Sequence, residues 1–350
     1  MNRRTFAFLT AVITFTAGVA IAKLSLPNLF KASAPAAGNQ LSHYRLSGPY
    51  RFERLSIFLV HGANAPNSRL YMPLQFAMLR DEVSVHETNR VNELEIENIS
   101  YTEEVFVQAG DIVKGGNQDR VLSVDFILPS RSGRLLIPAF CVESSRWYPR
   151  GAEQADHFTI TEMSAGFSLR RAIKEVATQA GVWDEVAASQ EKLSAGVASN
   201  VRSTVSPTSL ALAMQNDEVQ KAAAPYIDNL SPIVESSKDV IGFAFAINDN
   251  LKGADVYSSN QMFKRLWPRL LKAAAVEAIS EGPIKYNESP TIETVSAFLA
   301  NSETGAETIS NVNWRTQSAK RETEQGLFFE TRDMEYRGAW IHRTYLHKTQ

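Results

Sequence analysis

One cysteine, Cys141, is all that a chain of 350 residues carries. A single thiol cannot close an internal disulfide, so stability has to come from a packed core, which this length supplies easily. It also excludes any multi-cysteine zinc or iron–sulfur centre. A basic excess is missing too: 36 Lys and Arg stand against 38 Asp and Glu, a formal charge of −2, and nucleic acid is not an expected partner. There is no internal repeat, and no low-complexity block beyond a short stretch near the start.

The first 22 residues, MNRRTFAFLTAVITFTAGVAIA, have Arg3 and Arg4, then an apolar stretch from Phe6, then Ala20-Ile21-Ala22. A positive start, an apolar middle and small residues before the cut predict a signal peptide cleaved after Ala22, hence an exported protein, in the periplasm. The Arg-Arg-Thr-Phe run loosely fits a twin-arginine signal. The alternative is an uncleaved single-span anchor, for which the stretch is slightly short; the membrane is expected as a partner only through this segment. Residues 23–50, with an Ala, Pro, Ser and Gly-rich run at 24–39, read as a flexible tether. Residues 51–350 read as a single large domain, with a change of character, and so a sub-boundary, near 150–165.

Short strand patterns fill the first half: RLSIFLVHGAN, VSVHE, ELEIENIS and EVFVQAGD. From 120 to 128 the even positions give Leu122, Val124, Phe126 and Leu128 on one face, and the odd positions, with Asp119, give Val121, Ser123, Asp125 and Ile127 on the other, which predicts one half-buried strand. RLLIPAFCVE is apolar on both faces, which predicts a central strand covered on both sides, with Pro138 marking a bulge or an edge. Helical spacing then takes over: around 169–180, with Ser168 as a cap, at 183–193, after a Ser206-Pro207 cap, and at 219–230 about Pro225. DVIGFAFAIND and LKGADVY form strands about Asn248–Asn250. A long apolar stripe runs from Phe263 to Ala278 through Pro268, and another helix spans 292–299. The tail reads as two strands about an Arg332-Asp333 turn. Strands early, helices in the middle and helix and hairpin elements late predict an α+β fold with mixed or antiparallel sheet; the strict alternation of a doubly wound protein is absent.

Chemistry is sparse. Lys114 precedes Gly115-Gly116 and a strand follows, the reverse of a phosphate loop, whose lysine follows the glycines into a helix. A glycine-lined turn flanked by Lys114 and Arg120 can still form an anion-binding concavity, or be only a bend. FLVHGAN echoes an α/β-hydrolase turn, but the Gly-x-Ser-x-Gly elbow is missing, and His61 reads as a strand-end histidine. Cys141 reads as a buried small hydrophobe; as a nucleophile it would suffer from Glu143, which raises a thiol pKa, and nothing in the spacing unites it with His61, His86 or His157. Glu143, Arg146 and Trp147 suit either a strand-end clasp or a carboxylate–arginine–aromatic ligand site. Asp119, Asp125 and Glu143 supply candidate acid–base carboxylates. No metal or cofactor is expected; His342 and His347 fall on opposite faces of one strand.

GDIVKGGNQDRVLSVDFILP followed by IPAFCVESSRWYPR resembles the ARG and rhodanese-phosphatase-superfamily-associated protein domain family, in which ARG stands for ADP-ribosylglycohydrolase. The likeness rests on Gly110-Asp111, Gly115–Arg120, Ile137-Pro138 and Cys141–Trp147, with VWDEVA and the run from Phe245 to Leu271 as further matches, over about residues 54–300. The family name records associations rather than an activity; it implies a place near hydrolase-type or ADP-ribose-related systems. The resemblance sharpens one expectation. If the two strands pair antiparallel across SRSG, Gln118-Asp119-Arg120 and Glu143-Arg146-Trp147 meet at one hairpin end. The expected site is therefore Lys114, Gln118, Asp119, Arg120, Glu143, Arg146 and Trp147, binding a small polar or anionic ligand. The alternatives are a hydrolase with a carboxylate base and arginine stabilisation, and a structural network with no ligand site.

Overall fold

The computed structural model describes residues 42–65, 69–151, 153, 157–282 and 290–348. The signal peptide and most of the expected tether lie outside them. The larger sheet has eight strands in the order β1 (Arg45–Phe52), β2 (Leu55–His61), β12 (Val240–Ile247), β13 (Asn250–Tyr257), β17 (Ala339–His347), β16 (Gly326–Asp333), β15 (Thr316–Glu322) and β14 (Thr308–Asn311), paired antiparallel throughout. Strand β1 starts inside the segment read as tether, so the folded part begins ahead of residue 51.

A six-stranded sheet follows the order β11 (Phe158–Ile160), β7 (Ile112–Gly115), β8 (Arg120–Leu122), β10 (Gly133–Cys141), β5 (Glu93–Asn98) and β4 (Val83–Glu87). Its end strands β4 and β11 face each other across a cleft, which makes the sheet a nearly closed barrel. Strands β3 (Met72–Pro73), β6 (Val105–Val107) and β9 (Phe126–Leu128) form a small mixed sheet, β3 and β6 being parallel. Helices α1 (Leu74–Leu79), α2 (Phe167–Glu175), α3 (Gln179–Gly196), α4 (Leu210–Met214), α5 (Asp217–Leu230), α6 (Asn260–Ser280) and α7 (Ile292–Ser302) complete a mixed α+β fold, with most helices in the middle of the chain. The interval 150–165 carries β11, which pairs with β7, and Asn39–Gln350 forms one compact unit.

Strands buried on both faces divide their side chains between two cores. On β2, Leu55, Ile57 and Leu59 face the helices, while Phe58 and Val60 face the core that α7 covers. On β12, Phe243, Phe245 and Ile247 take the helix side, against α6, and Ile241 and Ala244 the other. The barrel has its own core of Val83, Val85, Leu94, Ile96, Val113, Leu122, Ile137 and Phe158.

Five local expectations are corrected. The alternating strand at 120–128 is two strands, β8 and β9, because residues 123–125 leave the ladder and β9 pairs with β6. Nor is it half-buried: Leu122 and Phe126 enter the barrel core while Val121 and Ile127 enter the main core. Strand β10 is central, but its outer face is covered only at Phe140, which packs against the main core; Arg134, Leu136 and Pro138 are exposed. Ser168 lies inside α2, whose first N–H groups are met instead by the Glu277 carboxylate. Ser206 does not start a helix; Ser209 does, accepting from the Leu212 N–H at 3.1 Å. Arg332 and Asp333 end β16, the turn being at 334–338, and β14 and β15 were not anticipated.

Candidate functional site

The turn between β7 and β8 is shaped by what crosses it. Gly115 and Gly116 have φ of +128° and +53°. A Cβ on Gly115 would stand 2.5 Å from the His157 carbonyl oxygen, and one on Gly116 2.2 Å from the Phe158 ring. Only glycine combines that backbone with that proximity. The turn then points Asp119 inward, where its carboxylate accepts the Gly115 N–H at 3.0 Å.

Antiparallel pairing of β8 and β10 sets Arg120 opposite Cys141. One step beyond the ladder, the Asp119 N–H donates to Glu143 at 3.1 Å and the Val142 N–H to the Asp119 carbonyl at 3.0 Å. The two sequence motifs therefore meet at one end of the barrel. The guanidinium carbon of Arg120 lies 5.4 Å from the centre of the Trp147 ring.

Behind this contact is a buried network of alternating charge. Arg146 makes a two-pronged pair with Glu143, at 2.7 and 2.6 Å, and donates to the carbonyls of Gly116 and Tyr148. Arg150 makes a second with Asp119, at 2.9 and 2.6 Å, and continues to Glu153. Ser209 donates to Asp119 and Ser206 to Glu143, tying the network to the start of α4. Burial pushes the Asp119 carboxyl up, with the Glu143 charge adding to it against Arg150 and Ser209. Burial acts on Glu143 too, but hydrogen bonds from Arg146, Ser206 and the Asp119 N–H hold its carboxyl below the usual range. Every oxygen of both carboxylates already accepts a hydrogen bond. Arg150, Ser206, Ser209 and Glu87 were missed at the level of sequence: Arg150 stands in the quoted WYPR run, but its partner is 31 residues away and Ser209 is 90 from Asp119.

Arg120 is different. It is fully buried, and its guanidinium donates to the Gln118 carbonyl at 2.9 Å and approaches Glu87 at 3.5 Å. Its Nε and the Glu87 Oε2 are buried without a hydrogen-bond partner. Trp147, whose ring lies over the Arg120 guanidinium, is 42% exposed. Lys114 does not join: its ammonium pairs with Gln215 at 3.2 Å. Cys141 is buried, as its sequence position predicts, and burial pushes its thiol up to about 11, which removes it as a nucleophile.

Asp125 also leaves the set. The break between β8 and β9 turns it to His342, whose Nδ1 is 2.7 Å away, while His342 Nε2 is 3.0 Å from Asp255. Arg170 forks onto Asp255 at 2.6 and 2.7 Å, and Tyr257 stacks on the imidazole at 4.6 Å. Among the described residues no group of three or more His, Cys, Asp or Glu is arranged to hold a metal ion.

No curated protein matches the chain, and no solved structure does. A family model, that of the ARG and Rhodanese-Phosphatase-superfamily-associated Protein domain, matches residues 43–346, a span that holds both the barrel mouth and the His342 cluster. The chain belongs to that family.

Proposed function

We propose that the protein is an exported binding module whose ligand is a small, neutral, polar molecule held at the barrel mouth by Arg120, Glu87 and Gln118 beneath Trp147. One observation carries this reading: in the neighbouring side chains of Arg120 and Glu87 a guanidinium N–H and a carboxylate oxygen stand buried and unpartnered, and a half-exposed indole lies over the guanidinium. Leaving such groups unmade is costly, and one ligand bearing both an acceptor and a donor satisfies both. Charge decides between polar and anionic. Arg120, Arg146 and Arg150 meet Glu87, Asp119, Glu143 and Glu153, so no positive charge is left over to attract an anion.

The hydrolase alternative needs a carboxylate free to take a proton, whereas the oxygens of Asp119 and Glu143 are all engaged. The structural reading is favoured for those two acids with Arg146 and Arg150, because their hydrogen bonds close on one another. In the ligand reading these four hold the floor rigid and Arg120, Glu87, Gln118 and Trp147 do the binding. Export rests on residues 1–22.

Mass spectrometry of the full-length gene product, recovered from the cell envelope, tests both halves. Under denaturing conditions the chain is expected to begin at Lys23; a mass that still includes Met1 contradicts export by cleavage. Under native conditions a bound small molecule is expected, absent from Trp147→Ala. Ligand-free protein from several growth media contradicts the binding reading and leaves only the structural role.

A further inference from the structure

Helices α2, α3, α4 and α6 leave between them a recess, open to solvent on one side, whose enclosed part is small, about 60 Å³. None of its lining residues belongs to the barrel mouth. The floor is apolar: Met163, Leu169, Leu193, Leu210, Met214 and Val276 are all buried. Ser164 lines it too, only 4% exposed, and its hydroxyl has no hydrogen-bond partner. A buried hydroxyl in an apolar wall is stabilised by whatever brings it a partner.

The remaining polar groups have a sign. Glu185, Glu277 and Glu281 line the recess against one lysine, the exposed Lys192. Glu281 is paired outward with Lys252 at 2.6 Å. Glu277, 8% exposed, takes the N–H groups of Phe167 and Ser168 at 2.7 and 3.2 Å, so the positive end of α2 is already occupied by an internal acid and is closed to an anionic ligand. Glu185 accepts a hydrogen bond from the Ser189 hydroxyl at 3.2 Å and is otherwise stabilised only by the longer-range charges of Lys192 and Arg171. An apolar floor, an unpartnered hydroxyl and a surplus of carboxylate describe a receptor for an amphiphilic cation.

We infer that this recess is a second binding site, independent of the barrel mouth, for a small amine with an apolar body. The body lies on the methionine and leucine floor, the ammonium sits between Glu185 and Glu277, and one of its N–H groups donates to Ser164. Burial pushes the Glu185 carboxyl up, and a bound cation would pull it back down.

Titration calorimetry with n-hexylamine, n-hexanol and hexanoate, run on the full chain at neutral pH, varies the head and keeps the tail. The amine is expected to bind about tenfold or more tighter than hexanoate, with hexanol between them. Ser164→Ala should weaken the amine several-fold, and Glu185→Gln should erase its advantage over the alcohol. Ala273→Trp should fill the recess and abolish binding; if that variant does not fold, Glu185→Gln still decides the matter. Trp147→Ala should leave hexylamine binding unchanged, which separates this site from the mouth. Absence of binding by all three compounds, equal affinities, tighter binding of hexanoate, or an amine preference that survives Glu185→Gln would each overturn the inference.

Discussion

His342 offers both ring nitrogens to carboxylates, Asp125 on one side and Asp255 on the other. Each nitrogen must therefore donate, so the ring is an imidazolium. Burial works against that charge, but Asp125 and Asp255 outweigh it and raise the pKa above its ordinary value. The two acids move the opposite way: burial favours their neutral forms, and His342 for Asp125 and Arg170 for Asp255 more than reverse this. The raised histidine contributes stability fully below about 6.5, its unfolded pKa, and loses it as pH climbs through the folded value. The lowered acids contribute above about 4 and lose it as pH falls toward their folded values. Urea unfolding between pH 6 and 9 should show stability declining on the alkaline side. His342→Gln should be about 3–5 kcal/mol less stable at pH 6, because two buried carboxylates lose their cation, and its alkaline slope should be shallower. An unchanged slope in His342→Gln would show that another group titrates there.

At the scale of elements, the strand that misled most is β10. Its sequence is apolar at nearly every position, yet the odd residues Ile137, Ala139 and Cys141 are buried and Leu136 is 55% exposed. Leu136→Ala should change stability by no more than about 0.5 kcal/mol, while Ile137→Ala, which opens a void in the barrel core, should cost about 2–5 kcal/mol. Equal costs in chemical denaturation would mean that the outer face of β10 is covered at Leu136 after all. The period-two pattern at 120–128 was legible and real, but alternation reports two environments without saying that one is water; here both are cores. The break at 123–125 was not legible, because what draws Asp125 off the ladder is His342, 217 residues later. Caps went wrong for the same reason. Ser168 and Ser206 have the right chemistry, but a distant Glu277 fills the first role and Ser206 is engaged by Glu143.

Across the whole molecule, buried polar groups pin the barrel and the small sheet to the larger sheet and its helices. Arg269 of α6 reaches Asp111 at 2.9 Å, Thr331 of β16 donates to Asp125 at 2.6 Å, Tyr71 donates to Asp333 at 2.6 Å, and the Ile127 N–H meets Thr316 at 2.9 Å. Apolar packing makes the layers adhere; these directional contacts specify how they are stacked. The α+β class was visible from the order of patterns alone, and so was the meeting of the Gln118–Arg120 and Glu143–Trp147 motifs, since β8 and the end of β10 do pair antiparallel; the hairpin expected across SRSG does not form, because Phe126–Leu128 pairs with β6 and Gly133–Pro138 with β5. What the order of residues hides is which members of those motifs are spent on each other. Asp119, Glu143 and Arg146 looked like ligand contacts and are saturated by Arg150, Ser206 and Ser209; Arg120 and Gln118, beside the unsuspected Glu87, keep spare capacity.

Calorimetry of the folded protein against matched neutral and anionic solutes, polyols and amides on one side and carboxylates and phosphates on the other, bears most directly on the barrel mouth. Neutral solutes should bind, Trp147→Ala should lose about tenfold or more in affinity for them, and no anion should compete. Binding of anions in preference, or neutral binding that Trp147→Ala leaves intact, would contradict the account.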